Sequence, residues 1–143
     1  MKEGFYMKIA VAIDGSENAL RAARHAITLA QHFPEASLEV IYVADYNKAK
    51  DERLLAQSEE SLLLKRKQKV EPVLELAHDA GVKAKVTMLK GSPSQEIIKY
   101  VNAEAVDQLV IGSRGLNTFQ EMVLGSVSHK VMKHVDCPVT VVK

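Results

Sequence analysis

The sequence predicts an α/β protein, a single-domain open five-stranded parallel sheet with helices on both faces. Three observations lead there. Short apolar runs rich in β-branched residues alternate with longer stretches of helical periodicity. The resulting order, β-α-β-α-β-α-β-α-β, is what parallel neighbours joined by right-handed crossovers need. At 143 residues the chain has the length of one domain with a single core.

The elements follow in order. "KIAVAID", Lys8 to Asp14, is short, nearly all apolar and stops at Asp-Gly, which predicts a strand buried on both faces. Ser16 then offers a helix cap, with Glu17 in the first turn. Leu20, Ala23, Ile27 and Ala30 recur at spacings of three and four until Pro34 ends the helix. "SLEVIYVAD", Ser37 to Asp45, is a second strand, and the polar residues from Tyr46 to Ser58 read as a surface connection. From Glu59 to Ala80 a helix is marked by Leu63, Val70, Val73, Leu74 and Ala77, with Gly81 as its stop. "VKAKVTML" alternates, placing Ala84, Val86 and Met88 on one face and Lys83, Lys85 and Thr87 on the other, as in a half-exposed edge strand. In "SPSQEIIKYV", Ser92, Pro93 and Gln95 predict a capping box at a helix start. "DQLVIGS" is the fourth strand. A glycine-bearing loop, a helix of about ten residues and a last strand, "CPVTVVK", complete the chain.

Composition narrows the function. Apolar residues are 47% and charged residues 26%, and the formal net charge of +1 makes no electrostatic case for nucleic acid or an anionic membrane. Cys137 is the single cysteine, so neither an intrachain disulfide nor a cysteine-based zinc site can form; this fits a cytoplasmic protein. The N-terminal apolar run, Ile9 to Ile13, is too short for a signal peptide or a membrane span. Met1 to Tyr6 match no element and read as a loose leader. The cluster Lys65, Arg66, Lys67 and Lys69 reads as a solvated helix face rather than a site for an anionic partner.

The loop "GSRGLNTFQEMVLGSVSHKV", from Gly112 to Val131, holds three of the chain's seven glycines in the spacing Gly112-x-x-Gly115, nine residues, Gly125-Ser126. Glycines let backbone N–H groups approach a ligand without an intervening Cβ. Gly125-Ser126 falls at a helix start, where unpaired N–H groups and the positive end of the helix dipole favour an anion. Ser126 and Ser128 add hydroxyls and Arg114 a positive charge. Glycine also serves ordinary turns and Ser126 also suits a cap; the position after the fourth strand and before a helix favours a nucleotide site. In such sheets ligands bind beyond the carboxyl ends of the strands, where strand order reverses. Asp14 at the end of the first strand occupies the matching position. Neither G-x-x-x-x-G-K-[ST] nor G-x-G-x-x-G occurs.

Catalytic machinery is not legible. Arg114, Glu121 and His129 are charged or titratable groups in or beside the loop, without the spacing of a triad or a metal site. His129 and His134 are five residues apart on a helix and diverge. His25, His32 and His78 fall on helices, where solvated histidines are the common case.

"IAVAIDGSENALRAARHAITLA", "GSPSQEIIKYV" and "LVIGSRGLNTFQEMVLGSVSHKVMKHVDCPVTVVK" together resemble a universal stress protein of the single-domain type. The similarity makes residues 1–143 one such domain, with its core from about Lys8 to Lys143. It implies a Rossmann-like sheet of order 3-2-1-4-5, similar to that of the adenine nucleotide alpha hydrolases, with strands one and four side by side. ATP-binding members carry G-2x-G-9x-G-[ST], which Gly112, Gly115, Gly125 and Ser126 satisfy. By this resemblance Asp14 contacts the nucleoside, and Ala12, Ile13 and Val43, the last taken as ending the second strand, lie against adenine or ribose. Gly112, Ser113, Arg114 and Gly115 wrap ribose and phosphate, and Gly125, Ser126, Val127 and Ser128 hold the phosphates. Mg²⁺ would be held by the phosphates themselves. The family usually dimerises through the fifth strand; here residues 138–142 are apolar and β-branched, which suits edge pairing and equally an ordinary covered strand.

Three readings follow. In the first, the protein is an ATP-binding stress-response regulator acting as a homodimer. In the second, it is a slow ATPase or nucleotidyl-transfer relative, although S-G-G-x-D-S and H-x-G-H are absent. In the third, it is a nucleotide-free interaction module whose loop is only structural.

Overall fold

The structure, a computed structural model, describes residues 7–45, 59–114 and 124–143. The expectations for residues 1–6, for the connection at 46–58 and for Gly115 lie outside these. Five strands, β1 (Lys8–Ile13), β2 (Ser37–Asp45), β3 (Ala84–Gly91), β4 (Gln108–Gly112) and β5 (Val139–Val142), form one sheet of order β3-β2-β1-β4-β5. Every pairing is parallel, and the register sets Val11 beside Val40 on one side and Val110 on the other. Strand order reverses between β1 and β4, so their carboxyl ends open a crevice, the position the switch-point rule assigns to ligands.

Helices α1 (Glu17–Gln31), α2 (Glu59–Asp79), α3 (Pro93–Ala103) and α4 (Ser126–His134) connect the strands. The period-two alternation of the central strands divides the core into two clusters. Ile9, Val11, Leu38, Val40 and Val110 meet α1 and α2 on one face. Ala10, Ile41, Leu109 and Ile111 meet Ile97 and Val101 of α3 and Val131 of α4 on the other. The stripe that α1 buries is mostly alanine, at 19, 22, 23, 26 and 30, joined by Ile27. Small residues there let the helix lie close over β1 and β4. Leu20, expected in that stripe, is only half-buried at its edge.

Several local expectations are met. Ser16 caps α1, its Oγ accepting from the Ala19 N–H at 3.1 Å. At the end of α2 the Val82 N–H bonds back to the Ala77 carbonyl at 2.9 Å, so the helix closes at Gly81 as the sequence predicts.

Others are corrected. Ser92 is the N-cap residue of α3 with Pro93 following, yet its side chain makes no capping bond. The start of α3 rests instead on proline's fixed φ and on the Ser92 carbonyl, which accepts the Glu96 N–H at 3.0 Å. β3 is an edge strand, but its alternation is not a simple inside-outside pattern. Thr87 and Leu89 are half-buried toward α3, where the Thr87 hydroxyl meets that of Tyr100 at 3.1 Å, while Met88 is 47% exposed. Helices pack on both faces of this edge, Ala84 and Val86 joining the cluster under α1 and α2 and Leu89 the one under α3 and α4. Leu63 is exposed as well, whereas Val70, Val73 and Ala77 further along α2 are buried. The basic cluster of α2 is not uniformly solvated. Lys67 is exposed, whereas the Lys69 stem packs over Gly15 and its ammonium lies 5.9 Å from the centre of the Tyr42 ring.

The sheet also buries a charge that the sequence reading passed over. Glu39 on β2 is 3% exposed, with the ammonium groups of Lys8 and Lys85 at 3.8 and 3.9 Å. Burial, reinforced by a hydrogen bond to Glu39, pushes the Tyr100 hydroxyl above its ordinary value.

Candidate functional site at the carboxyl edge of β1 and β4

The crevice is built from two turns. After β1 the chain passes through Asp14 and Gly15, and the Asp14 Oδ1 accepts the Ser16 N–H at 2.9 Å. Gly15 has φ +88°, a left-handed conformation that glycine adopts without strain, and this permits the abrupt passage from strand into α1. Ala12 and Asp14 are half-buried and Ile13 is buried. Val43 lies close by on β2, but two residues short of the strand's end, since pairing with β3 continues through Asp45.

The second turn follows β4 and is tied on three sides. The Ser113 N–H donates to the Val142 carbonyl of β5 at 2.8 Å, and the Ser113 carbonyl accepts the Gly125 N–H at 2.7 Å. The Ser128 hydroxyl donates to the Gly112 carbonyl at 2.6 Å. The Arg114 N–H donates to Oδ1 of Asn18 at 2.8 Å. Gly112–Arg114 and Gly125–Ser128 are therefore adjacent, as one shared site requires. Gly115 lies outside the described residues.

Gly125, not Ser126, is the N-cap residue of α4, and no side chain caps that helix. A helix start leaves its first N–H groups without intrahelical partners, and the dipole adds partial positive charge there. Ser126 and Val127 are exposed at this end, and Gly125, Ser128 and Arg114 are half-buried. Ser113 is only 4% exposed, its hydroxyl turned toward Asn18. This arrangement suits an anion: the first N–H groups of α4 and the exposed Ser126 stand at this end, with the half-buried Arg114 in the adjoining turn. Among the described residues no group of three histidine, cysteine or acidic side chains is placed to hold a metal ion.

Sequence reasoning missed Asn18, which joins α1 to the β4 loop. Its only signal was an amide side chain in the first turn of a helix, a place where such residues usually face solvent.

A model of the universal stress protein family matches residues 5–143. The chain belongs to the universal stress protein family. The universal stress protein MJ0531 of Methanocaldococcus jannaschii is 35% identical, over 99% of this chain and 84% of its own length. The solved structure of MJ0577 from the same organism superimposes with a TM-score of 0.83 at 32% identity, covering 97% of this chain and 96% of that one. A universal stress protein of Archaeoglobus fulgidus, solved in complex with dAMP, shares the fold with a TM-score of 0.73 at 20% identity, covering 97% of this chain and 99% of that one. The sheet order found here is the one the family resemblance implies.

Proposed function

We propose that this universal stress protein binds an adenine nucleotide, ATP, across the carboxyl ends of β1 and β4. The observation that carries the reading is the bond between the Gly125 N–H and the Ser113 carbonyl, 2.7 Å long. It brings the uncapped start of α4 against the β4 loop, where a phosphate chain meets both. The dAMP complex of the Archaeoglobus fulgidus relative supports an adenine nucleotide as the ligand class.

In this reading Ala12, Ile13, Asp14 and Val43 line the nucleoside end. Gly112 to Gly115 border ribose and phosphate, and the turn from Gly125 to Ser128 holds the phosphates, with the N–H groups of Ser126, Val127 and Ser128 as donors and Gly125 allowing close approach. Bound Mg²⁺ is carried by the phosphates. Nucleotide occupancy regulates a cytoplasmic homodimer paired through residues 138–142. The edge position of β5 leaves that strand's outer side available for pairing.

The test is mass spectrometry of small molecules released from freshly purified protein, paired with thermal unfolding in added ATP. The expected result is a released adenine nucleotide and a raised midpoint. At a ligand concentration 100-fold above Kd the gain is about 2.7 kcal/mol. Protein that carries no nucleotide and ignores ATP in the melt returns the loop to a structural role.

A further inference from the structure

Asn18 contacts the β4 loop at three successive residues. Its Oδ1 accepts the Arg114 N–H at 2.8 Å and lies 3.5 Å from the Ser113 hydroxyl. The same oxygen would stand only 2.4 Å from a Cβ placed on Gly112. Gly112 is not among the glycines with positive φ, so its backbone conformation is open to other residues. What excludes a side chain at that position is the Asn18 amide. The residue is 6% exposed, and its Nδ2 is buried with no hydrogen-bond partner among the described residues. A buried donor left unpaired is destabilising. A leucine or alanine would fill this first turn of α1 without that penalty, so the amide has a use beyond packing.

We infer that Asn18 is the positioning residue of the nucleotide loop. It fixes Gly112–Arg114 to α1, and the first glycine of the G-2x-G-9x-G-[ST] spacing is glycine to admit the Asn18 oxygen rather than the ligand. The consequence for binding rests on the function proposed above. The packing relationship stands apart from it.

The experiment compares the parent protein with Asn18→Ala, Gly112→Ala, the double variant and Asn18→Asp, all full-length. Without nucleotide, Gly112→Ala lowers the unfolding midpoint in the parent, and by much less when residue 18 is alanine. Some loss remains in the double variant, because the Asn18 backbone carbonyl carbon also stands 3.2 Å from the added Cβ. Hydrogen exchange at the Arg114 amide accelerates about tenfold in Asn18→Ala, the equivalent of one hydrogen bond. Asn18→Asp keeps the acceptor oxygen and restores slow exchange, which a general loss of stability does not predict. By calorimetry, Asn18→Ala weakens ATP about two- to tenfold for the same lost bond.

Equal losses from Gly112→Ala in both backgrounds, or an unchanged Arg114 amide in Asn18→Ala, overturn the inference. So does Asn18→Ala binding ATP as tightly as the parent while the amide exchanges fast. A parent protein that binds no nucleotide defeats the proposed function instead, and the midpoints and exchange rates still decide whether Asn18 sets the loop.

Discussion

Ser128, in the first turn of α4, donates its hydroxyl to the carbonyl of Gly112 at 2.6 Å. That bond crosses between the two halves of the glycine motif and gives the hydroxyl a partner within the protein. Ser126, two residues earlier, is exposed. Two serines that look alike in the sequence thus separate into a loop tie and a rim group.

Their substitutions separate too. Ser128→Ala leaves the buried Gly112 carbonyl without its donor and costs about 1–2 kcal/mol of stability in nucleotide-free protein. Ser126→Ala changes stability by less than about 0.5 kcal/mol but weakens ATP by about 1 kcal/mol. Denaturant unfolding and calorimetry read the two effects. The reverse assignment of losses would show that the roles are exchanged.

Gly125→Val is the sharper test of the anion site. Gly125 has φ −67° and ψ 160°, an extended conformation that valine accepts readily. The variant therefore folds with a near-parental midpoint. Its isopropyl group stands at the start of α4, where the phosphates need close backbone approach, and ATP binding is lost in titration. Unchanged affinity in a folded variant rules out phosphate contact at this turn.

Val131 is the single buried side chain of α4, packed with Leu109 and Ile111 beneath it. Val131→Ala removes two methylene equivalents and leaves a small void, lowering stability by about 2 kcal/mol. The same change loosens α4, so protection of the Gly125 amide in hydrogen exchange falls more than protection in β1. Equal losses in both places would mean that α4 is held by something other than this contact.

Cys137 precedes β5, half-buried, and burial pushes its thiol above the ordinary value, with the carboxylates of Asp107 and Asp136 adding to the shift. A raised thiol pKa means less thiolate at neutral pH. Alkylation of the native protein is therefore slower than that of the unfolded chain, and its rate climbs at higher pH than for a free cysteine. Rates measured against pH in native and denatured protein check this; coincident profiles would exclude the shift.

Much of the fold was legible because its signals are local. β2 runs from Ser37 to Asp45, where its β-branched and aromatic run begins and ends, and Ser16 caps α1 as its position before Glu17 suggests. The α4 start was legible as well, since Gly125-Ser126 interrupts the chain before a helical pattern. What failed depended on partners distant in sequence. Met88 follows the period of an inward face, yet on the edge strand it is 47% exposed. Lys69 sits in a basic cluster, yet Gly15 and Tyr42 draw it inward from residues more than 25 positions away. Asn18 carries no motif at all, and its role exists only because β4 ends beside α1.

One residue at the rim has a particular mechanical standing. Ser113 bonds the final strand through its N–H and the start of the final helix through its C=O, two peptide units that meet at a single α-carbon. A rotation about that α-carbon bears on both of the chain's last two elements. A disturbance at the crevice thus has a direct route to the outer margin of the sheet, with no other residue needed to relay it.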